Sequence, residues 1–214
     1  MADEIKTAIV IGSGSVDGVE GHLTAFQGSP VYCADGGVDN ALALGLEPNS
    51  VFGDFDSISE AARQWTIDEG IPILQFPVEK DKSDMELVWD HLLQEGYQEA
   101  IVLGATGTRL DHTLSNLLML PKYFEKGLQL TLLDRHNSIQ PLGDQTKIRG
   151  DENYISLVPL SAEGLVVSLS GFQFPLNREN IPFGSSLGIS NRVIGDEGTI
   201  QLHRGCGLLF YSVD

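Results

Sequence analysis

Basic residues are scarce in this sequence of 214 residues. Its 13 lysines and arginines stand against 30 aspartates and glutamates, which gives a formal net charge of −17 at pH 7. So few cations cannot neutralise a run of phosphates or an anionic lipid surface, which excludes a general affinity for nucleic acid or membrane. An acidic surface instead favours cations, either metal ions or a cationic organic substrate.

Cysteine and long apolar runs are also rare. Cys33 and Cys206 are the only cysteines, and neither belongs to a C-x-x-C pair or has histidines at zinc spacing, so we interpret both as buried thiols. The apolar residues 8–11 are too few for a signal peptide or a membrane span, and the start of the chain lacks a basic segment. We therefore expect a cytoplasmic protein.

The apolar content of 42% is enough for a buried core, and its pattern changes near residue 135. Before that point, apolar runs at 7–11, 31–34, 51–52, 73–76, 100–103 and 128–133 alternate with helix-like segments. This predicts an α/β domain over residues 1–135 with a mostly parallel, Rossmann-like sheet. After it, short runs at 154–160, 165–169, 190–194, 199–203 and 208–212 predict an all-β sandwich or barrel over residues 136–214, with 136–150 as a polar connection.

Three acidic segments lie at or just beyond apolar runs of the α/β half. They are Gly53-Asp54-Phe55-Asp56-Ser57, Asp81-Lys82-Ser83-Asp84 and Arg109-Leu110-Asp111-His112. On a strand, Asp54 and Asp56 would share one face, and two carboxylates so close repel unless a cation lies between them. Magnesium suits such oxygen ligands, although Asp and Ser are also common in plain turns.

Two further signals concern helix starts. Ser83 and Glu86 have the capping-box spacing, so Asp84 lies in a first helical turn, where an acid also complements the helix dipole without any ligand. Residues 104–109 combine glycines, hydroxyls and Arg109 ahead of a helix, an arrangement suited to binding phosphate. Asp111 can be explained without any ligand, as the N-cap of that helix. The spacing of Gly12, Gly14 and Gly18 does not match a dinucleotide fingerprint, so we interpret residues 12–14 as a turn.

Four segments, in order, resemble those of the thiamine pyrophosphokinase (thiamine diphosphokinase) family. They are Ala34-Asp35-Gly36-Gly37, Gly53-Asp54-Phe55-Asp56-Ser57-Ile58, Lys80-Asp81-Lys82-Ser83-Asp84-Met85-Glu86 and Gly104-Ala105-Thr106-Gly107-Thr108-Arg109-Leu110-Asp111-His112. Asn116 and the Ser190-Asn191 pair also fall where that family has similar residues. Thr108 and Phe210 depart from it, since many relatives have glycine at the first position and some have tryptophan at the second.

The resemblance implies transfer of a pyrophosphoryl group from ATP to the hydroxyl of thiamine, with thiamine bound at a homodimer interface. It implies a metal site for Mg²⁺ at Asp54, Asp56 and Asp84, and catalytic roles for these three acids with Arg109 and Asp111. Nucleotide binding is expected at Asp35, Gly36, Gly37, Asp81, Gly107, Arg109, Asp111 and His112, and substrate binding at Lys80, Ser190, Asn191 and Phe210. The general base stays open between Asp81 and Asp111.

Two other functions fit the acidic segments. A strand that leads into Asp54-Phe55-Asp56 is also found in phosphatases of the haloacid dehalogenase type, where the first aspartate attacks phosphorus. In those enzymes the motif follows the first strand, whereas two predicted strands precede it here. The second alternative is a non-catalytic module that senses a nucleotide or a cation through the same acids.

Overall fold

The computed structural model describes residues 5–54, 58–75, 81–151 and 153–213, and the chain divides into two compact units, Met1–Arg135 and His136–Asp214. The strands of the first unit are β1 (Thr7–Ile11), β2 (Val31–Ala34), β3 (Ser50–Gly53), β4 (Ile73–Gln75), β5 (Glu99–Leu103) and β6 (Gln129–Leu133). Its helices are α1 (Glu20–Leu23), α2 (Gly37–Leu44), α3 (Glu60–Asp68), α4 (Asp84–Gln94) and α5 (Leu110–Phe124), with a short 3-10 helix over Thr24–Phe26. In the described part of the chain, no helix is both long and apolar enough to cross a bilayer.

The six strands of the first unit are parallel and lie in the order β4-β3-β2-β1-β5-β6. The chain runs outward from β1 to β4 and then returns to place β5 on the other side of β1, from Thr7 opposite Glu99 to Ile11 opposite Leu103. The strand order therefore reverses between β1 and β5. In open α/β sheets, ligands bind at such a switch point, beyond the carboxyl ends of the strands.

Both faces of this sheet are covered, as a parallel sheet requires. On one face, Ile11, Cys33 and Val51 belong to an apolar cluster with Val38 of α2 and Ala62 of α3. Burial there raises the pKa of the Cys33 thiol well above its ordinary value. The opposite face carries the alternate residues of the same strands.

Aromatic side chains dominate that opposite face. Tyr32 and Phe52 both contact the ring of His91 on α4, and Trp89 of α4 meets Tyr123 of α5 edge to face, with ring centroids 5.3 Å apart. Trp89 and Tyr123 have no exposed surface. Helices α4 and α5 are thereby packed together over the sheet that carries the switch point.

The Asp90 carboxylate of α4 links α5 to Lys82, which lies just before α4. The Tyr123 hydroxyl donates a hydrogen bond of 2.8 Å to Asp90 Oδ1, and Lys82 pairs with Asp90 Oδ2. Burial alone would raise the pKa of Asp90, but the hydrogen bonds from Lys82 and Tyr123 outweigh it, so the pKa lies below its ordinary value.

The second unit is antiparallel. Its strands are β7 (Asn137–Pro141), β8 (Gln145–Arg149), β9 (Tyr154–Pro159), β10 (Leu165–Ser170), β11 (Leu176–Ile181), β12 (Glu197–Arg204) and β13 (Gly207–Ser212). They form the sets β7-β13-β9 and β11-β10-β12-β8, whose inward residues, among them Ile148, Leu157, Val167, Ile200 and Leu209, share one apolar cluster. The predicted fold class, a mostly parallel α/β half followed by a β-rich half, is confirmed.

Two local predictions in the second unit are wrong. Residues 136–150 are not a polar connection, because β7 and β8 occupy most of them and obtain their hydrogen bonds from β13 and β12, far along the chain. Residues 190–194 form isolated bridges rather than a strand. Ser190 has a left-handed φ of 59°, and the Asn191 carboxamide takes the place of a ladder by bonding both the N–H and the C=O of Phe174.

The Asp90 network predicts a stability loss that depends on pH. Tyr123→Phe removes a hydrogen bond to a charged group, so we expect the free energy of unfolding to fall by about 1–2 kcal/mol near neutral pH. Because the pKa of Asp90 is lowered by folding, its contribution is present above the unfolded pKa and is lost as the pH falls through the folded value. Urea titrations at about pH 7 and about pH 3 should show the loss and then its decrease.

Tyr97→Phe is the matched control. It removes a buried hydroxyl that lies 2.9 Å from the Tyr32 hydroxyl, a pair without a carboxylate, so its cost should be similar at both pH values. A cost of Tyr123→Phe that stays constant with pH would show that Asp90 does not carry the effect.

Candidate active site

A cavity of about 380 Å³ opens at the switch point of the first unit, which is within the usual size of a ligand pocket. Residues 12–14, which follow β1, and residues 104–109, which follow β5, both line it. The remaining lining residues are Ala34, Asp35, Ser83, Asp84, Met85, His112, Thr113 and Asn116. The sheet order thus brings together segments that lie 90 residues or more apart in the sequence.

Residues 12–14 contact residues 103–106 through their main chains. Gly12 N–H donates to Leu103 C=O, and Gly14 N–H donates to Gly104 C=O, both at 2.8 Å. A Cβ atom on Gly14 would lie 2.0 Å from the Thr106 carbonyl oxygen, so only glycine permits this approach. Residues 12–14 are therefore part of the site, although their spacing alone indicated only a turn.

Side chains of α5 and of the residue after β6 hold residues 104–109 in place. Asn116 is buried and donates a hydrogen bond of 2.8 Å to Ala105 C=O, while Thr113 Oγ1 accepts one of 3.2 Å from Gly107 N–H. The Thr106 hydroxyl bonds Asp134, the residue that follows β6. Sequence reasoning missed Thr113 and Asp134, because nothing in their local sequence distinguishes them.

Of the residues that follow β2, Asp35 lines the cavity and Gly37 supports it. Asp35 lines the cavity in a left-handed conformation with φ of 45°, which aspartate tolerates better than most residues. Gly36 and Gly37 do not line it. A Cβ on Gly37 would lie 2.0 Å from the Ile11 carbonyl oxygen, so this glycine lets α2 begin directly against the end of β1.

Of Asp54 and Asp84, the two predicted metal ligands that the structure describes, only Asp84 lines this cavity. It occupies the first turn of α4, whose N-cap Ser83 accepts a hydrogen bond from Glu86 N–H. In a complete capping box the Glu86 carboxylate would bond the Ser83 N–H. Here that carboxylate pairs with Lys122 instead.

Asp54 directly follows β3 and lines a separate cavity of about 220 Å³ beside α3, together with Arg63. Asp56 and Lys80 lie outside the described residues. Among the residues that the structure does describe, no three His, Cys, Asp or Glu side chains are grouped so as to hold a metal ion.

Arg109 and Asp111 form an ion pair with 2.6 Å between Nη2 and Oδ2. Both side chains are about two-thirds exposed, at 68% and 64%. The hydrogen bond between them lowers the pKa of the Asp111 carboxyl and raises that of the Arg109 guanidinium. Arg109 and His112 line the cavity, as does Gly107, whereas Asp111 and Asp81 do not.

In the second unit, the three residues predicted to bind substrate lie around β9. Phe210 of β13 is the register partner of Ser156, and Ser190 N–H donates to the Ser156 hydroxyl at 3.0 Å. Asn191 bridges to Ile155 and is buried. Ser190 is exposed and Phe210 is partly exposed, so both have surface available to a ligand. Ser156, which joins them, was not predicted from the sequence.

Comparison with known proteins agrees with this geometry. Residues 26–132 match the family model described as thiamin pyrophosphokinase, catalytic domain, and residues 144–206 match the thiamin pyrophosphokinase vitamin B1 binding domain. A thiamine pyrophosphokinase from Bacillus subtilis is 37% identical over 185 residues, which cover 84% of this chain and 86% of the relative.

Solved structures lead to the same family. A crystal structure of the Bacillus subtilis thiamine pyrophosphokinase matches with a TM-score of 0.88 and 32% identity over 98% of this chain and 100% of that one. One from Geobacillus thermodenitrificans matches with a TM-score of 0.84 and 28% identity over 97% and 98% of the two chains. With both family models, this sequence identity and this fold, the chain belongs to the thiamine pyrophosphokinase family.

Proposed function

We propose that the cavity between β1 and β5 holds the ATP from which this thiamine diphosphokinase transfers a pyrophosphoryl group to the hydroxyl of thiamine, giving thiamine diphosphate and AMP. The observation that carries the proposal is the close main-chain contact of residues 12–14 with residues 104–106 at the switch point, directly before the amino terminus of α5. Backbone N–H groups and the helix dipole at such a terminus favour phosphate.

Arg109 is the cationic group proposed to contact the polyphosphate. It lines the cavity, and its guanidinium can grip two phosphate oxygens at once. Its pair with Asp111 is well exposed to water, so exchanging that carboxylate for phosphate disturbs no buried structure. Asp111 would then be released from the guanidinium that lowers its pKa, and it stays with Asp81 as a candidate general base.

Magnesium is the proposed metal, held by Asp54, Asp56 and Asp84. The oxygen-only donor set fits this ion, which binds carboxylates together with substrate phosphates rather than in a cage built by the protein alone. Asp84 lies in the cavity wall, and Asp54 follows Gly53, on which a Cβ would lie 3.1 Å from the Cα of the cavity residue Asp35. When bound, the ion would offset charge on the phosphates.

The protein's own contribution to the transfer is placement. Pyrophosphoryl transfer to an alcohol gives side chains little covalent work, so the rate depends on holding thiamine in line with the phosphates in a site that excludes water. The two rival functions have no support from the family match.

Thiamine is proposed to bind in a homodimer, with residues 1–135 of one subunit supplying the phosphate-handling groups and residues 136–214 of the other supplying Ser190, Asn191 and Phe210. Exposed apolar side chains support an assembly. Leu110, Leu114 and Leu118 are 75%, 56% and 52% exposed at successive turns of α5, and a contiguous apolar stripe of this kind marks an interaction surface. In the second unit Phe174, Phe183, Leu187, Ile189 and Ile194 are exposed as well.

A cytoplasmic location is also proposed, because the reaction consumes ATP.

Removal of the Asp84 carboxylate tests both the reaction and the metal site. Purified protein given thiamine, ATP and Mg²⁺ should form AMP and thiamine diphosphate in equal amounts, and Asp84→Asn should lower kcat by about 100-fold or more. Glu86→Gln is the matched control in the same helical turn, because its carboxylate pairs with Lys122 outside the cavity. Release of inorganic phosphate with a trapped phosphoaspartate would favour the phosphatase, and binding without turnover would favour the sensing module.

Arg109→Lys keeps the positive charge but loses the planar fork. We expect KM for ATP to rise roughly tenfold while the unfolding midpoint stays unchanged, because the side chain is exposed. Arg149→Lys, an equally conservative change on exposed β8, should leave the kinetics unaltered. Unchanged ATP kinetics in Arg109→Lys would remove Arg109 from the phosphate site.

Mixing two inactive variants tests the shared site. Asp54→Ala and Phe210→Ala damage different halves, so one of the two sites in each mixed dimer would be intact, and random exchange should restore roughly a quarter of the activity. Asp54→Ala mixed with Asp84→Asn damages the same half and should restore nothing. Mixed dimers that form without recovery, or a fully active monomer, would refute the composite site.

A further inference from the structure

Asn40 bridges two carbonyl oxygens of the cavity wall. It lies one turn into α2, and its Nδ2 donates hydrogen bonds of 2.7 Å to Gly12 C=O and 2.8 Å to Gly14 C=O. One carboxamide group therefore holds both ends of the three-residue segment that follows β1. This residue belongs to none of the motifs that identify the family above.

Residues 12–14 are held by main-chain contacts with the end of β5 and by the Asn40 side chain. The Gly104 carbonyl accepts from Gly14 N–H, and a Cβ on Gly12 would lie 2.7 Å from the same oxygen. The Asn40 carboxamide bonds the carbonyl oxygens of Gly12 and Gly14. Main-chain hydrogen bonds to Leu103 and Gly104 hold the segment against the end of β5, and the two bonds from Asn40 act on its carbonyl oxygens.

Those directions matter for a polyanion. Carbonyl oxygens carry partial negative charge, and a phosphate that approached them would be repelled, whereas an N–H donor neutralises them. Ser13 lies between the two glycines and lines the cavity. A carboxamide suits this task because its nitrogen has two hydrogens and no charge, so it can serve two acceptors at once.

We propose that Asn40 is a positioning residue for ATP: by holding the Gly12 and Gly14 carbonyl oxygens, it keeps this wall of the cavity in the form that accepts the polyphosphate. The inference rests on the proposed function of that cavity. Asn40 does not line the cavity and acts through the main chain of residues 12–14. Its loss should weaken ATP binding in the ground state and the transition state alike, which raises KM and spares kcat.

Two substitutions separate the effect from simple packing. Asn40→Ala removes both donors but leaves room for water to satisfy the carbonyls, so KM for ATP should rise about fivefold. Asn40→Leu keeps the shape and bars water from both oxygens, so the rise should be about tenfold or more. For both variants, kcat and KM for thiamine should stay within about twofold of wild type.

Asn49→Ala is the matched control. Asn49 Oδ1 accepts a hydrogen bond of 2.8 Å from Val31 N–H, at the amino end of β2 and thus at the opposite edge of the sheet from the cavity. Like Asn40→Ala, this substitution removes a hydrogen bond between a carboxamide and the main chain, although here the carboxamide is the acceptor. It should lower the unfolding midpoint without changing KM for ATP.

Steady-state kinetics with ATP and with thiamine as the varied substrate, circular dichroism and ATP titration calorimetry give the outcome. Unchanged KM for ATP in folded Asn40 variants would overturn the inference while wild-type turnover upholds the proposed function. An equal rise in Asn49→Ala, a fall in kcat alone, or failure of both Asn40 variants to fold would reduce Asn40 to a structural residue and also overturn it. A wild-type protein that forms no thiamine diphosphate would refute the proposed function instead.

Discussion

The contact between the main chains that follow β1 and β5 is the constraint on which the first unit depends. Gly14 approaches the Thr106 carbonyl so closely that no side chain fits between them, and the parallel register from Thr7 opposite Glu99 to Ile11 opposite Leu103 makes that approach possible. Four of the residues that line the cavity are consequently glycines without a side chain, namely Gly12, Gly14, Gly104 and Gly107. Its charged groups come from the surrounding helices and turns, where they can reach a ligand without being buried in the core.

The electrostatic problem of this protein is to bind two opposite charges with one acidic surface. A net charge of −17 favours a cationic substrate and a metal ion over the whole surface, but it repels a polyphosphate. Local groups must reverse that repulsion at the cavity. The amino terminus of α5 and Arg109 are proposed to do so, and the carboxamide of Asn40 bonds two carbonyl oxygens of residues that line the cavity.

The sequence was most informative where structure is local. Strands of the parallel sheet are continuous apolar runs because both faces are buried, so β1 and β2 were predicted to the residue. The first-turn position of Asp84 followed from its capping residue. Strands β7 and β8 were missed because they are half-exposed and polar, and their partners lie far along the chain. Asn40 and Asp134 escaped notice for the same reason: each contacts a residue 26 to 28 positions away.

The pairing of β1 with β5 also sets an order of events during synthesis. β1 cannot pair with β5 until Glu99, the register partner of Thr7, has been synthesised. The ribosome adds about 5–20 residues per second. For most of the synthesis of the first unit, β1 therefore has β2 along one edge and no strand along the other. The cavity between β1 and β5 cannot exist until residues 99–106 have emerged. Pairings of such long range slow folding, and an unpaired apolar strand edge is a template for association. Chaperone protection of nascent chains should therefore be needed most before β5 is complete.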